Sequence, residues 1–311
     1  MDLSAGATSL VETSLGVEKG EMVMVLVDEP KTVIGQAFLQ ACRDAGAQTF
    51  MMVVDVSPAG LEPPEPVASV MKECDAVIMA TTHSVSHTKA RRLANRGGTR
   101  VISIPGIAED MLSQGCLLAD HQEVEELMSR AYKNLRKADQ LRITTARGTN
   151  LTLRVKGRSW ITEDTGLCRT RGDFATFPAG ELLVAPLEGS AEGTLVVDVF
   201  FQAFLKAPAT VTVREGYAVR VEGASDAEAA MDGGGHEGRH LSRLGIGFNP
   251  KASLRSTALE ASKVMGSIHV GFGDSTALGG EVTCGVEVDA ILKSASLEAD
   301  EKPILDRGRL V

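Results

Sequence analysis

Over residues 1–140, short apolar runs alternate with amphipathic stretches, the pattern of βα units around a parallel sheet. MVMVLV (22–27) is continuously apolar and predicts a buried strand. After Glu29-Pro30, Ile34, Phe38, Leu39 and Cys42 recur at helical spacing, and Gly46 is placed to close that helix. TFMMVV (49–54), DAVIMA (75–80) and VISI (101–104) read as further strands, the last stopped by Pro105-Gly106. A proline-rich loop, SPAGLEPPEP, joins the second strand to the third. From Gln122 to Ala138, the positions Val124, Leu127, Met128, Ala131 and Leu135 define one apolar helical face.

From Leu141 the period shortens to two. LRITTA, the turn GTN and LTLRVKGR read as a β-hairpin. ELLVAP (181–186), TLVVDV (194–199), TVTVRE (210–215) and AVRVEG (218–223) continue as strands with glycine turns. A short helix is expected at 224–232, and SIHVGFG (267–273) and GVEVDAIL (285–292) as the last core strands. The predicted fold class is α/β: a parallel-sheet α/β domain over 1–140, then an α+β domain with mixed or antiparallel sheet over 141–311. The two halves are expected to pack separately, with a cleft between them.

The 311 residues carry 32 Lys and Arg against 41 Asp and Glu, a net charge of −9. That sign argues against a general nucleic-acid binder, which needs a basic excess to neutralise phosphates. No apolar run approaches the roughly 18 residues of a membrane span. The opening MDLSAGATSLVETS holds an acid and no base, unlike a signal peptide. Five cysteines, at 42, 74, 116, 168 and 284, never pair as CxxC, the usage of a reducing compartment. A cytoplasmic protein without nucleic-acid or membrane partners is expected.

HEGRH (236–240) matches the HExxH metal pattern, which works when a helix stacks its histidines one turn apart. Three glycines precede it and Gly238 sits inside it, so the expectation is a loop or helix end without a metal. THSVSHTKARR (82–92) follows a strand directly, where open parallel sheets bind ligands. Its His83 and His87 are candidate substrate contacts; Ser86 is placed to cap the next helix, whose amides suit an anion. A GxGxxG fingerprint follows none of these strands. In the second half, Glu181, His269, Glu287 and Asp289 interrupt apolar strands. Alternation puts Glu287 and Asp289 on one strand face, where two carboxylates repel unless a cation or shared proton relieves them. With His269 they are plausible ligands of a divalent metal.

Several stretches resemble the aminopeptidase T-like family of metallopeptidases. They are SHTKARRLA (86–94), SIPGIAEDM (103–111), GTNLTLRVKGR (148–158), FPAGELLVAPLEGSAEGTLVVD (177–198), LGIGFNPKA (244–252) and SIHVGFGDSTALGGEVTCGVEVDAIL (267–292). The resemblance implies an N-terminal α/β domain, a C-terminal domain carrying the metal site, and a homodimer. It assigns ligand roles to Glu181, from the GE of the PAGE segment, and to His269, from the strand before the glycine-rich turn. The acid that precedes LGIG in the family is Arg243 here, and the closing His-x-Asp reads Glu287-Val288-Asp289. The tyrosine that follows the strand histidine has no counterpart between 270 and 280. A related branch contains the non-haem iron dioxygenase that opens dihydroxypyridine rings. Sites of that type use two histidines and one carboxylate. This chain keeps His269 and Asp289, and His236 or His240 would have to supply the second imidazole.

The main expectation is therefore a metal-dependent, aminopeptidase-like hydrolase acting on a small molecule or peptide between its domains. Glu181 and His269 are its catalytic residues, and Glu181, His269, Glu287 and Asp289 hold zinc, manganese or cobalt, or iron if it is oxygenase-like. Arg243, His83 and His87 contact substrate. The alternatives are an iron-dependent ring-cleaving dioxygenase, and a non-catalytic binding protein whose metal site has decayed. Arg243 brings a fixed positive charge where the family keeps an acid, so it is expected to pair with Glu287 in a bidentate ion pair.

Overall fold

The computed structural model describes residues 2–56, 60–254 and 257–311. The first three residues of the SPAGLEPPEP loop lie outside them. The chain divides into two units, Met1–Glu125 with Asp164–Ala179 and Glu126–Glu163 with Gly180–Val311.

The first unit opens on a helix, α1 (Ser4–Thr8), extended by a wider turn over Ser9–Ser14. The pattern Leu3, Ala7, Leu10, Val11 and Leu15 explains it, since all five are buried at helical spacing. Strand β1 (Met22–Val27) leads to α2 (Thr32–Asp44), β2 (Gln48–Val53), α3 (Glu65–Glu73) and β3 (Ala76–Ala80). Helix α4 (Lys89–Gly97), β4 (Arg100–Ser103) and α5 (Glu109–Ser113) follow, and α6 (His121–Leu135) begins in this unit and continues in the second. The chain then forms β5 (Gln140–Thr144), β6 (Asn150–Arg154) and β7 (Trp160–Ile161) of the second unit, and returns with β8 (Phe174–Thr176).

These strands form a parallel sheet in the order β2-β1-β3-β4-β8. Every residue of β3 and β4 and five of six in β1 are buried, because a parallel sheet is covered on both faces. Met24, Leu26, Val77 and Met79 pack with Val67 and Met71 of α3 and Ala90 and Ala94 of α4. The fifth strand was not legible in the hydrophobic pattern, being only three residues long.

The N-cap of α4 is Thr88, not Ser86: its side chain accepts from the Arg91 amide at 3.3 Å. Ser86 instead donates to Ser103 at 2.9 Å. The first amides of α4, expected to suit an external anion, are taken by Glu62, which accepts from Lys89 and Ala90.

The second unit continues with β9 (Glu181–Val184), β10 (Glu192–Val197), β11 (Phe200–Phe201), β12 (Ala203–Phe204), β13 (Ala209–Arg214) and β14 (Tyr217–Glu222). Then come α7 (Ser225–Gly233), β15 (Leu241–Gly247), α8 (Ala258–Lys263), β16 (Ile268–Gly273) and β17 (Glu287–Leu292). Strands β18 (Ser296–Ala299), β19 (Lys302–Asp306) and β20 (Arg309–Leu310) close the chain. One sheet runs β14-β13-β10-β6-β5-β18-β19-β20 and the other β12-β11-β17-β16-β15-β9-β7. All pairings within both are antiparallel. The expected α/β class, a parallel sheet followed by antiparallel ones, is what the chain forms. Among the described residues no helix is long and apolar enough to cross a membrane.

Candidate functional site

Strands β9, β15, β16 and β17 lie side by side, and alternation sorts their residues between two faces. Leu244, Ile246, Val270, Phe272, Val288 and Ala290 point to one face and are fully buried or within 1% of it. Glu181, Arg243, His269, Glu287 and Asp289 belong to the other. The register brings them together: Gly247 is opposite Glu181, Gly245 opposite His269, and Gly271 lies between Arg243 and Asp289.

Glycines therefore floor the polar face, and two of them are required there. A Cβ on Gly245 would lie 2.0 Å from Glu181 Oε1. One on Gly271 would lie 2.3–2.6 Å from the Cγ, Nε and Cδ of Arg243. The repeated glycines of LGIG and HVGFG thus make room for charged side chains lying flat across the strands.

His269 is the centre of the cluster. Its Nδ1 is 2.9 Å from Glu181 Oε1 and its Nε2 is 2.9 Å from Asp289 Oδ1. With an acceptor at each nitrogen, the ring that satisfies both is the imidazolium. Burial alone would lower the His269 pKa, but the charge of Glu181 and the hydrogen bond to Asp289 outweigh it and raise it to about 9. Burial likewise pushes the Glu181 carboxyl up, while Lys263 and His269 more than offset this and hold it at about 2. For Asp289 burial is again overcome, here by the His269 hydrogen bond and charge and by Arg243, and its pKa falls to about 2.

Lys263 was not among the residues the sequence singled out. Its Nζ lies 2.6 Å from Glu181 Oε2, and the Ser262 hydroxyl donates to the same oxygen at 3.2 Å. Both residues end α8, whose N-cap Thr257 accepts from the Glu260 amide. The signal was the T-x-x-E pattern of Thr257 to Glu260, which announces a short capped helix delivering Lys263 just before β16.

At the outer end, Arg243 Nη2 donates to Glu287 and Nη1 lies 3.8 Å from Asp289 Oδ1. The expected pairing is present, but the guanidinium spans two carboxylates instead of gripping Glu287 with both nitrogens. Burial opposes its charge, yet Asp289 and Glu287 raise the Arg243 pKa.

HEGRH does not form the helix its metal pattern needs. Glu237–Arg239 is a single 3₁₀ turn, and His240 is extended, bridging to Tyr217. His236 stacks on the Tyr217 ring at 4.3 Å and His240 meets its edge at 5.6 Å. Among the described residues, neither histidine shares a hydrogen bond or ion pair with His269 or Asp289. Neither is therefore the second imidazole of the cluster as it stands. His83 and His87 belong to the first unit. There His83 lines a cavity of about 530 Å³ with Asp28, Val53, Asp55 and Thr82, at the carboxyl ends of β1, β2 and β3.

Residues 9–311 match the family NicX: 2,5-dihydroxypyridine 5,6-dioxygenase. A protein of that description from Pseudomonas putida KT2440 is 25% identical over 195 residues, 57% of this chain and 55% of that protein. The chain thus aligns with little more than half the length of this curated relative. The structure of the 2,5-dihydroxypyridine dioxygenase from Pseudomonas putida KT2440 superposes with a TM-score of 0.75 at 20% identity, covering 99% of this chain and 96% of that one. AmpT from Thermus thermophilus superposes at 0.68 and 16% identity, covering 99% and 98%. At these identities the structural likeness speaks to the fold alone.

Such relatives imply a metal ion, and the side chains of this cluster do not fit one. Both His269 nitrogens face carboxylates, Glu181 is occupied by Lys263, Ser262 and His269, and Arg243 is shared by Glu287 and Asp289. Among the described residues, no three His, Cys, Asp or Glu side chains are arranged to hold a metal ion.

Proposed function

The chain belongs to the 2,5-dihydroxypyridine 5,6-dioxygenase family, and from that premise we propose that it acts on a small hydroxylated nitrogen heteroaromatic ring. The family match over residues 9–311 carries this reading, because it spans both units and the whole polar cluster. The aminopeptidase-like hydrolase expected from the sequence gives way to the dioxygenase branch. The peptidase ligand pattern is broken at Arg243 and Glu287, while the matching family model and the curated relative both carry the dioxygenase description.

The chemistry of the cluster suits such a ring. Hydroxylated pyridines ionise to oxyanions, and Arg243 offers a planar guanidinium to receive one. His269, between Glu181 and Asp289, is positioned to hold or pass a proton at Nε2. His83 and His87 remain candidate substrate contacts from the first unit. A homodimer in the cytoplasm belongs to the same reading; the free cysteines support only its reducing compartment.

The test is to incubate the purified chain with 2,5-dihydroxypyridine, following ring absorbance and oxygen uptake, beside a chromogenic leucine anilide. Ring loss with oxygen uptake, and an untouched anilide, is the expected result. Anilide cleavage without ring loss would restore the hydrolase. A second reading, a binding protein with a decayed metal site, is favoured by the Arg243–Glu287 pair. It predicts saturable binding of the ring without oxygen uptake.

A further inference from the structure

We propose that this chain has exchanged its family's metal ion for side-chain cations: Arg243, Lys263 and doubly hydrogen-bonded His269 take over the ion's electrostatic role. The inference rests on the reading above only in assigning the cluster to the family's small-molecule site.

A divalent ion binds through free lone pairs, and the cluster has few to give. Freeing either His269 nitrogen would break a 2.9 Å bond to a carboxylate. One of those carboxylates, Glu181, is 1% exposed and could not turn to water for compensation. Both Glu181 oxygens are already engaged, Oε1 by His269 and Oε2 by Lys263 and Ser262. That leaves Glu287 and Asp289, and these share the Arg243 guanidinium.

Charge counting agrees with the geometry. Two of the cluster's cations are fixed on the chain: Lys263 pairs with Glu181, and Arg243 with Glu287 and Asp289. An incoming divalent cation meets carboxylates that already have a cation beside them. A proton can leave to admit a metal, but guanidinium does not deprotonate in proteins and stays tethered to β15.

The arrangement is built into the backbone. Gly271 leaves the space in which the Arg243 side chain lies, and Gly245 leaves the space for Glu181. Arg243 Nε is buried against the strand with no hydrogen-bond partner among the described residues, so only the Nη end of the guanidinium faces the carboxylates. An organic oxyanion, such as a phenolate or carboxylate, is the ligand class that the Arg243 guanidinium can receive; a metal cation finds the carboxylates and the imidazole already bonded to one another and to side-chain cations.

The experiment is metal analysis on the intact chain, after dialysis against Fe(II) under anaerobic conditions and against Mn(II), Co(II) and Zn(II). The expected result is less than one ion per chain, with a melting temperature that EDTA does not move. R243E combined with E287H restores an acid and a histidine to the cluster. That variant should take one ion per chain, with affinity raised on the order of 100-fold, and should melt lower in EDTA. One tightly held ion per unsubstituted chain, with EDTA-sensitive melting, would overturn the proposal. So would a folded R243E/E287H chain that still takes no ion. Should that variant fail to fold, the unsubstituted chain decides alone. All of these readings are made without substrate, so they stand or fall separately from the turnover of 2,5-dihydroxypyridine.

Discussion

Two histidines are buried in the second unit, and their surroundings are electrical opposites. His269 is 6% exposed and has a carboxylate at each ring nitrogen. His240 is 1% exposed, and neither ring nitrogen has a hydrogen-bond partner among the described residues. Burial lowers the His240 pKa, whereas two carboxylates overcome burial at His269 and raise it. The histidine inside a recognisable motif is thus held toward its neutral form, and the one on a plain strand organises the cluster. Depth of burial does not set the charge state of a histidine. Its partners do, and a sheet recruits them from neighbouring strands that are far apart in sequence.

The largest break in this comparison comes from Lys263→Met. It removes the cation that faces Glu181 inside the protein and leaves the carboxylate with His269 and the Ser262 hydroxyl. Loss of one partner from a buried ion pair costs about 3–5 kcal/mol, so urea denaturation should show a loss of that order. A loss below about 1 kcal/mol, the scale of a surface pair, would mean that the cluster is not held by this pair.

A smaller effect separates the two histidines by pH. The folded pKa of His269 is raised from 6.5 to about 9, so its contribution is complete below about 6.5 and fades as pH rises through 9. Glu181 and Asp289 are depressed to about 2 and add stability above their ordinary range, lost as pH falls toward 2. Arg243, which faces Asp289 and Glu287, stays charged across this window. The folded pKa of His240 is lowered, so its effect has the opposite sign, with stability lost as pH falls through its ordinary range. Denaturation curves from pH 4 to 10 on H269N and H240F should each lose one limb: the alkaline limb with the first, the acid-side slope with the second. Identical profiles for the two variants would contradict the assignment.

The smallest effect is expected for His240→Phe at neutral pH. The ring already sits against Tyr217 without hydrogen bonds of its own, so an apolar ring of similar shape should change stability by less than about 1 kcal/mol. A loss several times larger, in the same urea experiment, would reveal a hydrogen bond that His240 depends on.

Much of the cluster could be read along the chain. Glu181, His269, Glu287 and Asp289 stood out because polar and charged groups in otherwise apolar strands need compensation, and Arg243 only because the family resemblance implies an acid at its position. Lys263 escaped because a lysine at the end of a short helix looks like any solvated residue until its helix is docked. Ser86 and the first amides of α4 were misread for a similar reason: Glu62, from the preceding loop, reaches amides that local spacing leaves open.

The sequence by itself determined the long, strongly patterned elements such as β1, α2, β3 and α6, since period and turn residues act over a few positions. It also determined which strand face would carry charge, because alternation assigns faces without knowing the neighbours. Register was beyond it. Which glycine lies opposite His269, which cation reaches Glu181, and whether Arg243 meets one carboxylate or two depend on strands brought together across dozens of residues. Those pairings convert a row of candidate metal ligands into a cluster whose carboxylates already have cations beside them, and only the folded sheet brings the opposite charges within bonding distance.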